Sequence, residues 1–479
     1  MPGKPISVKE FMGLDLRRVQ SNADPKTQRV DVNVSVTPGR GLKTRPGTYI
    51  GARAHASTRG LFAVNGLLTT VAPSGYPAIA LTQSPLLRYM FIGNGTGIDV
   101  DHIVSLSGAE TYGQTDTGQG LPYVNILTKD GNYEHHYGDV EPSTPGEIIN
   151  TLVDLPFKPS GGLIKLASRL FTLSNLAGTA QFNSILGGAR DWTSPGDSGF
   201  LPVSRNAPGD RTLQGLGYIR DRMVVAFADS MQMWAVDENP DNMTLVETLN
   251  GPGTKYERAL ANVLGDAFYF SRGGFRSLIT STIEGQREEN DIGINIKPLS
   301  ETLPVDPEPI ALWSQARGQY LCAFGSTILV YTYIPSREIF GWTQWDMPFS
   351  VTDMVEVEGT LYARDADHNI QVFDDDLETD NNVPFDWRIQ TQFLGNDEKA
   401  RLWSFIDASF SMSGKAKVYA YPDYNTPDDR MFLGEITDSS TPFERTYLSI
   451  TAPSVALAFE GNTKFQLDAF AIRVNQLAV

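Results

Sequence analysis

The residue types best suited to hold a metal ion lie in one short polar stretch. Asp365, Asp367 and Asn369 alternate along it and Asp376 follows, as at the start and end of a calcium-binding loop. Such a loop needs glycine at its sharp turn and closes on a bidentate glutamate. Ile370 stands where the glycine is needed, and the closing residue is an aspartate. The pattern therefore favours a polar turn between strands, and we predict no metal site.

Histidine and cysteine offer no better ligand set. His135 and His136 are adjacent, so on a strand their side chains point to opposite faces, and no further histidine or cysteine stands nearby at ligand spacing. Cys322 is the single cysteine and lies in an apolar run, which excludes an intrachain disulfide and favours a small buried side chain. We expect neither a metal nor a cofactor.

Catalytic signatures are weak as well. Gly93, Gly95 and Gly97 alternate, but no helical pattern follows them and no Gly-Lys-Ser/Thr loop exists, which argues against a phosphate cradle. Residue types alone do not exclude a Ser-His-Asp triad, yet the chain has no Gly-x-Ser-x-Gly elbow. The Ser-x-Asp-x-Gly turns of sialidase-type folds are not found at matching positions. We predict no catalytic residue and a protein that is not an enzyme.

Five tryptophans could stack on sugar rings, as in a lectin. Aromatic residues at regular strand spacing are more often part of the core, which is the interpretation we favour. The residues concerned are Trp192, Trp234, Trp313, Trp342 and Trp345.

Composition sets wider limits. The 479 residues exceed what one compact core usually holds, and 56 acidic against 39 basic residues give a net charge of −17. A net negative charge does not attract nucleic acid, which argues against a nucleic-acid-binding groove that depends on the overall charge. It does not exclude a local basic patch. The N-terminus has no apolar signal sequence, and the uncharged stretch Gly318 to Ser336 is better explained as a hairpin than as a membrane span. We expect a protein made in a cytoplasm.

The clearest structural pattern is a hairpin. Gln319 to Ala323 and Ile328 to Tyr333 are apolar, β-branched or aromatic runs separated by Gly325-Ser326-Thr327. Val225 to Trp234 lines up with Cys322 to Tyr331, type for type. Comparable strand openings recur at roughly the 40–50-residue period of a four-stranded propeller blade. These openings are Leu170, Val224, Ala267, Leu321 and Leu361. The sequence therefore predicts an all-β fold with a β-propeller.

Three regions follow from these patterns. Residues 1–29 have no sustained period and are expected to form an extended N-terminal arm, and residues 30–376 to form the propeller with long rim loops. Val30, Val32, Val34 and Val36 alternate with polar residues, which predicts one half-buried strand at its start. After a solvated acidic link that begins at Asp374, five strand-like segments predict a C-terminal β-sandwich over residues 384–479.

The N-terminal region also carries a resemblance. Leu14-Asp15-Leu16-Arg17, Val32-Asn33-Val34 and the run from Thr37 to Thr48 are similar to the opening of the tail hub, tail nozzle and packaged-DNA stabilisation proteins of short-tailed bacteriophages. Further similar segments are Ser168 to Phe171, Ala189 to Thr193, Ile219 to Phe227 and Met233-Trp234.

The resemblance implies a structural virion protein of a phage tail. Members of that family carry a propeller and an appended module, and form a ring below the portal and its adaptor that lines the conduit for DNA ejection and helps retain packaged DNA. The implied partners are further copies of the chain in a homohexameric ring, the tail adaptor protein, tail fibre, spike or needle proteins, and passing DNA without sequence-specific binding. The alternative is a propeller lectin or glycan-processing enzyme.

Arg45, Pro46 and Gly47 are the structural motif that we single out. Pro46 fixes its own φ and biases Arg45 toward an extended conformation, and Gly47 permits a positive φ. The three residues can thus redirect the chain between two elements. The five N–H donors of Arg45 are expected to bind carbonyls or a carboxylate of an adjacent element rather than DNA.

Overall fold

The computed structural model describes most of the chain, with gaps. The described residues are 6–16, 24–54, 59–64, 67–73, 87–92, 106–112, 123–128, 133–137, 149–152, 155–251, 253–279, 291–395, 401–412, 414–422, 429–437 and 444–476.

The described secondary structure is nearly all β, as predicted. The first strands in chain order are β1 (Ile6–Val8), β2 (Gln28–Val32), β3 (Val34–Val36), β4 (Leu42–Thr44), β5 (Gly47–Arg53), β6 (Arg59–Val64), β7 (Leu67–Pro73), β8 (Leu87–Ile92), β9 (Leu106–Tyr112), β10 (Tyr123–Thr128), β11 (Tyr133–Tyr137) and β12 (Ile149–Leu152). The next are β13 (Gly161–Leu166), β14 (Arg169–Ser174), β15 (Thr179–Phe182), β16 (Gly199–Leu201), β17 (Leu213–Ile219), β18 (Arg222–Phe227), β19 (Ser230–Ala235), β20 (Thr244–Asn250), β21 (Leu260–Val263), β22 (Asp266–Ser271) and β23 (Gly274–Ser277).

The remaining strands are β24 (Ile310–Ser314), β25 (Gln319–Phe324), β26 (Thr327–Ile334), β27 (Ile339–Asp346), β28 (Val351–Val357), β29 (Thr360–Asp365), β30 (Asn369–Asp374), β31 (Thr379–Asp380), β32 (Val383–Pro384), β33 (Trp387–Thr391), β34 (Arg401–Met412), β35 (Lys415–Tyr421), β36 (Met431–Thr437), β37 (Glu444–Ala452), β38 (Ala456–Gly461) and β39 (Phe465–Gln476). Helical elements are short: α1 (Lys297–Ser300) and the 3-10 turns Gly188–Arg190, Val203–Asn206, Pro240–Asn242, Glu257–Ala259, Ile294–Ile296 and Pro335–Arg337. No helix among the described residues combines the length and hydrophobicity that a membrane crossing needs.

Groups of three or four paired strands follow one another along the described chain. They are β6–β8, β9–β12, β13–β16, β17–β20, β21–β23, β24–β27 and β28–β30. The first strand of each group lies beside the first strand of the next, and β28 also lies beside β6. Strand β5 pairs with β30 and so extends the last group.

The sequence period corresponds to these groups. The predicted hairpin is β25 and β26, joined by a turn at Gly325, whose φ of +61° needs glycine more than any other residue. Each of the five predicted strand openings falls in the second strand of its group, namely β14, β18, β22, β25 and β29. The second strand of each group is the easiest to recognise in the sequence. Its side chains are buried on both faces, as in β22 and β25, so it appears as a continuous apolar run.

Two further sheets involve the C-terminal residues. One has the order β3-β4-β39-β34-β37, with β1 also on β39, and the other continues from β27 through β2, β33, β38 and β35 to β36. Apolar residues of both sheets share one core that includes Phe11, Leu42, Trp403 and Phe459. The described strands from β33 to β39 thus lie in two sheets over a common core, but strands from the N-terminal region complete both.

The valine run differs from the expectation of one half-buried strand. It forms two strands, β2 and β3, which join different sheets, and Asn33 between them has a left-handed φ of +59°. Val30 and Val32 are only partly buried, whereas Asp31 is fully buried. Pairing between distant strands decided this arrangement, because β3 binds β4 and, through it, β39, while β2 binds β33. Residues 34–44 consequently lie in a sheet with C-terminal strands.

The acidic link also differs from the expectation of a solvated segment. Thr379–Asp380 and Val383–Pro384 pair with each other, and Asp380 pairs with Thr48 of β5. Asp376 is exposed, but Asp380 retains only 3% exposure because its carboxylate meets a buried arginine.

Candidate functional site

Arg45 lies where the chain passes from one sheet to another. Strand β4, just before it, pairs with β39, and strand β5, just after Pro46, pairs with β30. Arg45 is 1% exposed, although it is a long charged side chain. Such a residue is almost never fully buried unless it is paired.

All five N–H donors of the Arg45 guanidinium are used. Nε donates to Oδ1 of Asn33 at 2.8 Å, and Nη1 donates to the carbonyl of Pro46 and to Oδ1 of Asp380, both at 2.9 Å. Nη2 donates to the carbonyl of Asp346 at 3.1 Å and to Oδ2 of Asp380. The guanidinium carbon also lies 3.8 Å from the ring centroid of Phe385. The group therefore has no N–H left for a ligand or for DNA.

Asp380 is fixed from its other side as well. Thr48 Oγ1 donates to Asp380 Oδ1 at 2.9 Å, and the N–H of Asn381 donates to the carbonyl of Thr48 at 2.7 Å. The bidentate Arg45 contact adds geometric specificity to the charge attraction. Together these bonds attach the β31–β32 hairpin to β5. We call Asn33, Arg45, Asp380 and Phe385 the Arg45 junction.

Asn33 links Arg45 to two further segments of the chain, one at Asp346 and one at Asp386. Its Oδ1 accepts from Arg45 Nε and from the N–H of Asp346, both at 2.8 Å, and its Nδ2 donates to the carbonyl of Asp386 at 2.7 Å. Sequence reasoning treated Asn33 as one polar position of an alternating strand. The available signal was its type, because asparagine tolerates the left-handed conformation better than most residues.

Gly47 is required for a reason other than the one expected. Its φ is not positive; instead, an added Cβ would stand 2.5 Å from the carbonyl oxygen of Thr379 and 2.8 Å from Cβ of Leu377. The hairpin that carries Asp380 thus approaches the backbone of β5 too closely for any side chain. Pro46 contributes its carbonyl to Arg45.

Arg–Asp ion pairs recur elsewhere in partly buried positions. Nη2 of Arg169, which is fully buried, lies 2.7 Å from Oδ1 of Asp197, and Nη2 of Arg258 lies 2.6 Å from Oδ1 of Asp353. Burial raises the pKa of Asp353 despite the nearby Arg258. At Asp197 burial acts in the same direction, but hydrogen bonds from Ser184, Leu186 and Arg169 outweigh it and lower the pKa to about 2.

The calcium-like stretch is a hydrogen-bonded turn. Asp365 is 2% exposed, and its carboxylate accepts bonds from the N–H and Nδ2 of Asn369 and from Nε2 of Gln371, at 2.8 to 3.0 Å. Its oxygens are thus already engaged by neutral donors. Within the described ranges, no group of three or more His, Cys, Asp or Glu residues is arranged to hold a metal ion.

The other candidates are placed as follows. His135 and His136 lie on β11, and Gly93, Gly95 and Gly97 lie outside the described residues. Cys322 is fully buried, and burial raises the pKa of its thiol strongly. Trp192, Trp234, Trp342 and Trp345 are at most 5% exposed, and Trp313 is partly buried, so four of these five rings are not accessible for stacking on a sugar.

A surface groove of about 560 Å³ lies on the face formed by β2, β33, β38, β35 and β36. Val30, Val32 and Trp387 supply its apolar part. Its charges are largely matched, since Arg388 Nε lies 3.3 Å from Glu460 and Lys415 Nζ lies 3.0 Å from Glu435. The groove presents both signs of charge and does not resemble an anion-binding site.

Comparison with known proteins gives no family. No protein-family model and no curated protein matches the chain. Among solved structures, the computationally designed Ika8 protein is 12% identical with a TM-score of 0.35, and the alignment covers 69% of this chain and 99% of that one. Raptor of Chaetomium thermophilum is 11% identical (TM-score 0.38, 56% and 23% covered), and BamB of Moraxella catarrhalis is 10% identical (0.28, 54% and 80%). At these TM-scores, none of the three carries an argument about fold or function.

Proposed function

We propose that this chain is a structural, non-enzymatic virion protein of a short-tailed phage, similar to the tail hub or nozzle. In this proposal it forms a homo-oligomeric ring below the portal and adaptor, contacts tail fibre, spike or needle proteins, and lines the conduit through which DNA leaves. The observation that carries the proposal is the Arg45 junction, in which every N–H of the buried guanidinium donates to a protein acceptor. The segment through which the sequence resembles the family, Leu14 to Thr48, contributes buried structural residues to it.

The proposed architecture is a β-propeller of seven blades with an appended β-sandwich. Support comes from the first strands of the seven groups. Each of them lies beside the first strand of the next group, and β28 of the last group lies beside β6 of the first, so the order is circular. Strand β5 precedes the first blade in sequence but pairs with the last blade, which would close the ring of blades without a covalent bond.

The net negative charge of the chain is compatible with a conduit that does not bind the DNA passing through it. A net charge of −17 repels phosphates at low ionic strength, so DNA would slide rather than bind. The Arg45 guanidinium, which could otherwise contact phosphate, is buried and fully used.

Electron microscopy of virions with an antibody against this protein tests the proposal, alongside the mass of the purified protein in solution. We expect label at the tail and a particle mass that is a multiple of 52.6 kDa. A monomer that is absent from virions and binds or cleaves glycans on an array would instead establish the lectin or glycan-processing alternative.

A further inference from the structure

Asp31 lies on β2, the central strand of the sheet that runs from β24 to β27 and on through β33, β38 and β35 to β36. Strand β2 pairs in parallel with β27 through Val32 and Gln344, and in antiparallel with β33, where Asp31 is opposite Ile389. Val30 and Val32 line the surface groove on one face of this sheet. Because side chains alternate along a strand, Asp31 points to the other face, where Ile389 belongs to the apolar core.

The carboxyl group of Asp31 has no protein partner among the described residues. Asp31 is fully buried, and neither Oδ1 nor Oδ2 has a hydrogen-bond partner. Thr343 occupies the neighbouring register position on β27 and the same face of the sheet; it too is fully buried, and its Oγ1 also has no partner. The site is thus an apolar environment in which neither the Asp31 carboxyl nor the Thr343 hydroxyl has a hydrogen-bond partner among the described residues.

Charged groups of the surrounding elements do not compensate Asp31. Arg388 of β33 lines the groove on the opposite face, and the guanidinium carbon of Arg29 lies 5.9 Å from the ring centroid of Phe393. The remaining charged residues of the adjoining elements include Asp15, Asp346, Arg401, Asp407, Asp468 and Arg473. Burial is the only cause that acts on the pKa of Asp31, and it raises that pKa well above the usual value.

An isolated carboxylate is so costly to bury that the group takes up a proton instead. We propose that Asp31 is a proton-controlled lock of the β27–β2–β33 junction. With a neutral carboxyl, β2 stays paired between β27 and β33, and ionisation of the carboxyl weakens this pairing. The proton comes from and returns to solvent. This inference does not depend on the proposed function in a phage tail.

The sign of the effect follows from linkage. A carboxyl whose pKa is raised on folding stabilises the fold fully below the unfolded-state pKa, near 4, and this contribution is lost as pH rises through the folded-state pKa. In that window the opening equilibrium constant rises up to about tenfold per pH unit.

Hydrogen exchange of the backbone amides of Gln28–Val32 and Trp387–Thr391 tests the lock. After correction for intrinsic exchange, we expect protection in the wild type to fall as pH rises from about 5 to about 9. Asp31→Asn, which has nearly the same shape but cannot ionise, should abolish this slope. Asp376→Asn, at a residue whose side chain is 99% exposed, should keep it. An unchanged slope in Asp31→Asn would overturn the proposal.

Infrared difference spectroscopy on isotope-labelled aspartate gives a direct second readout. At a pH below the fall in protection, the wild type should show a protonated-carboxyl band that is missing in Asp31→Asn and retained in Asp376→Asn. If Asp31→Asn does not fold, the apolar variant Asp31→Leu replaces it in both experiments. A wild-type spectrum in which the Asp31 carboxyl is ionised at that pH, whether hydrated or bound to a cation, contradicts the proposal.

Discussion

Arg45 binds both carboxylate oxygens of Asp380, a residue that lies 335 positions further along the chain. Their side chains are 0% and 3% exposed, so the pair is dry. Removal of one partner leaves the other charge buried without compensation, which typically costs about 3–5 kcal/mol.

We therefore expect Asp380→Ala to lower the free energy of unfolding by about 3–5 kcal/mol, and Arg45→Ala to do the same. The double variant should lose clearly less than the sum of the two, because neither charge is then left alone. Urea unfolding of the four proteins measures the coupling. Arg40→Ala, which removes an ion pair with the surface residue Glu10, is the control and should change little. Additive effects of the two substitutions would show that the pair is not coupled.

Gly47→Ala should destabilise the protein by about 1–3 kcal/mol, as expected for overpacking. The new Cβ would collide with the carbonyl of Thr379, a backbone atom that cannot move without displacing Asp380. Thermal unfolding gives the comparison with Gly39→Ala, where the nearest atom would be 3.8 Å from the added Cβ. Equal melting temperatures for the two variants would count against the close approach at Gly47.

The segment from Leu377 to Phe385 should resist limited proteolysis in the folded protein. Although its composition is that of a linker, Asp380 and Asn381 are bound to Arg45 and to the carbonyl of Thr48. In Arg45→Ala the same segment should be cleaved, since the contact that anchors it is gone. Mass spectrometry of early fragments locates the cuts. Rapid cleavage of the wild type at this segment would refute the packed hairpin.

Acid should destabilise the sheet β13–β16 through Asp197. Its pKa of about 2 in the folded protein is below the unfolded value, so its stabilising contribution is present above about pH 4 and is lost as pH falls toward 2. The loss is on the order of 1–2 kcal/mol. Ser184→Ala removes one hydrogen bond to this carboxylate and should flatten the acid dependence of the melting temperature. A variant with the wild-type acid profile would show that another group is responsible.

The sequence alone determined the β class and the recurring strand unit, and it singled out Arg45, Pro46 and Gly47 as a structural motif. These features are local: an apolar run with a glycine turn specifies a hairpin such as β25 and β26, and its burial on both faces makes the repeat visible. Regular spacing then located the second strand of five successive groups.

Only the tertiary structure decided what these local features bind. Nothing near Arg45 in the sequence identifies Asp380. Asn33 tolerates a left-handed conformation, but its type does not show that the valine run divides there between two sheets. Such pairings depend on strand register and on contacts across hundreds of residues, which local periodicity does not encode. The same reason explains Asp31: its position in a polar–apolar alternation predicts exposure, but strands on both sides and a core below enclose it.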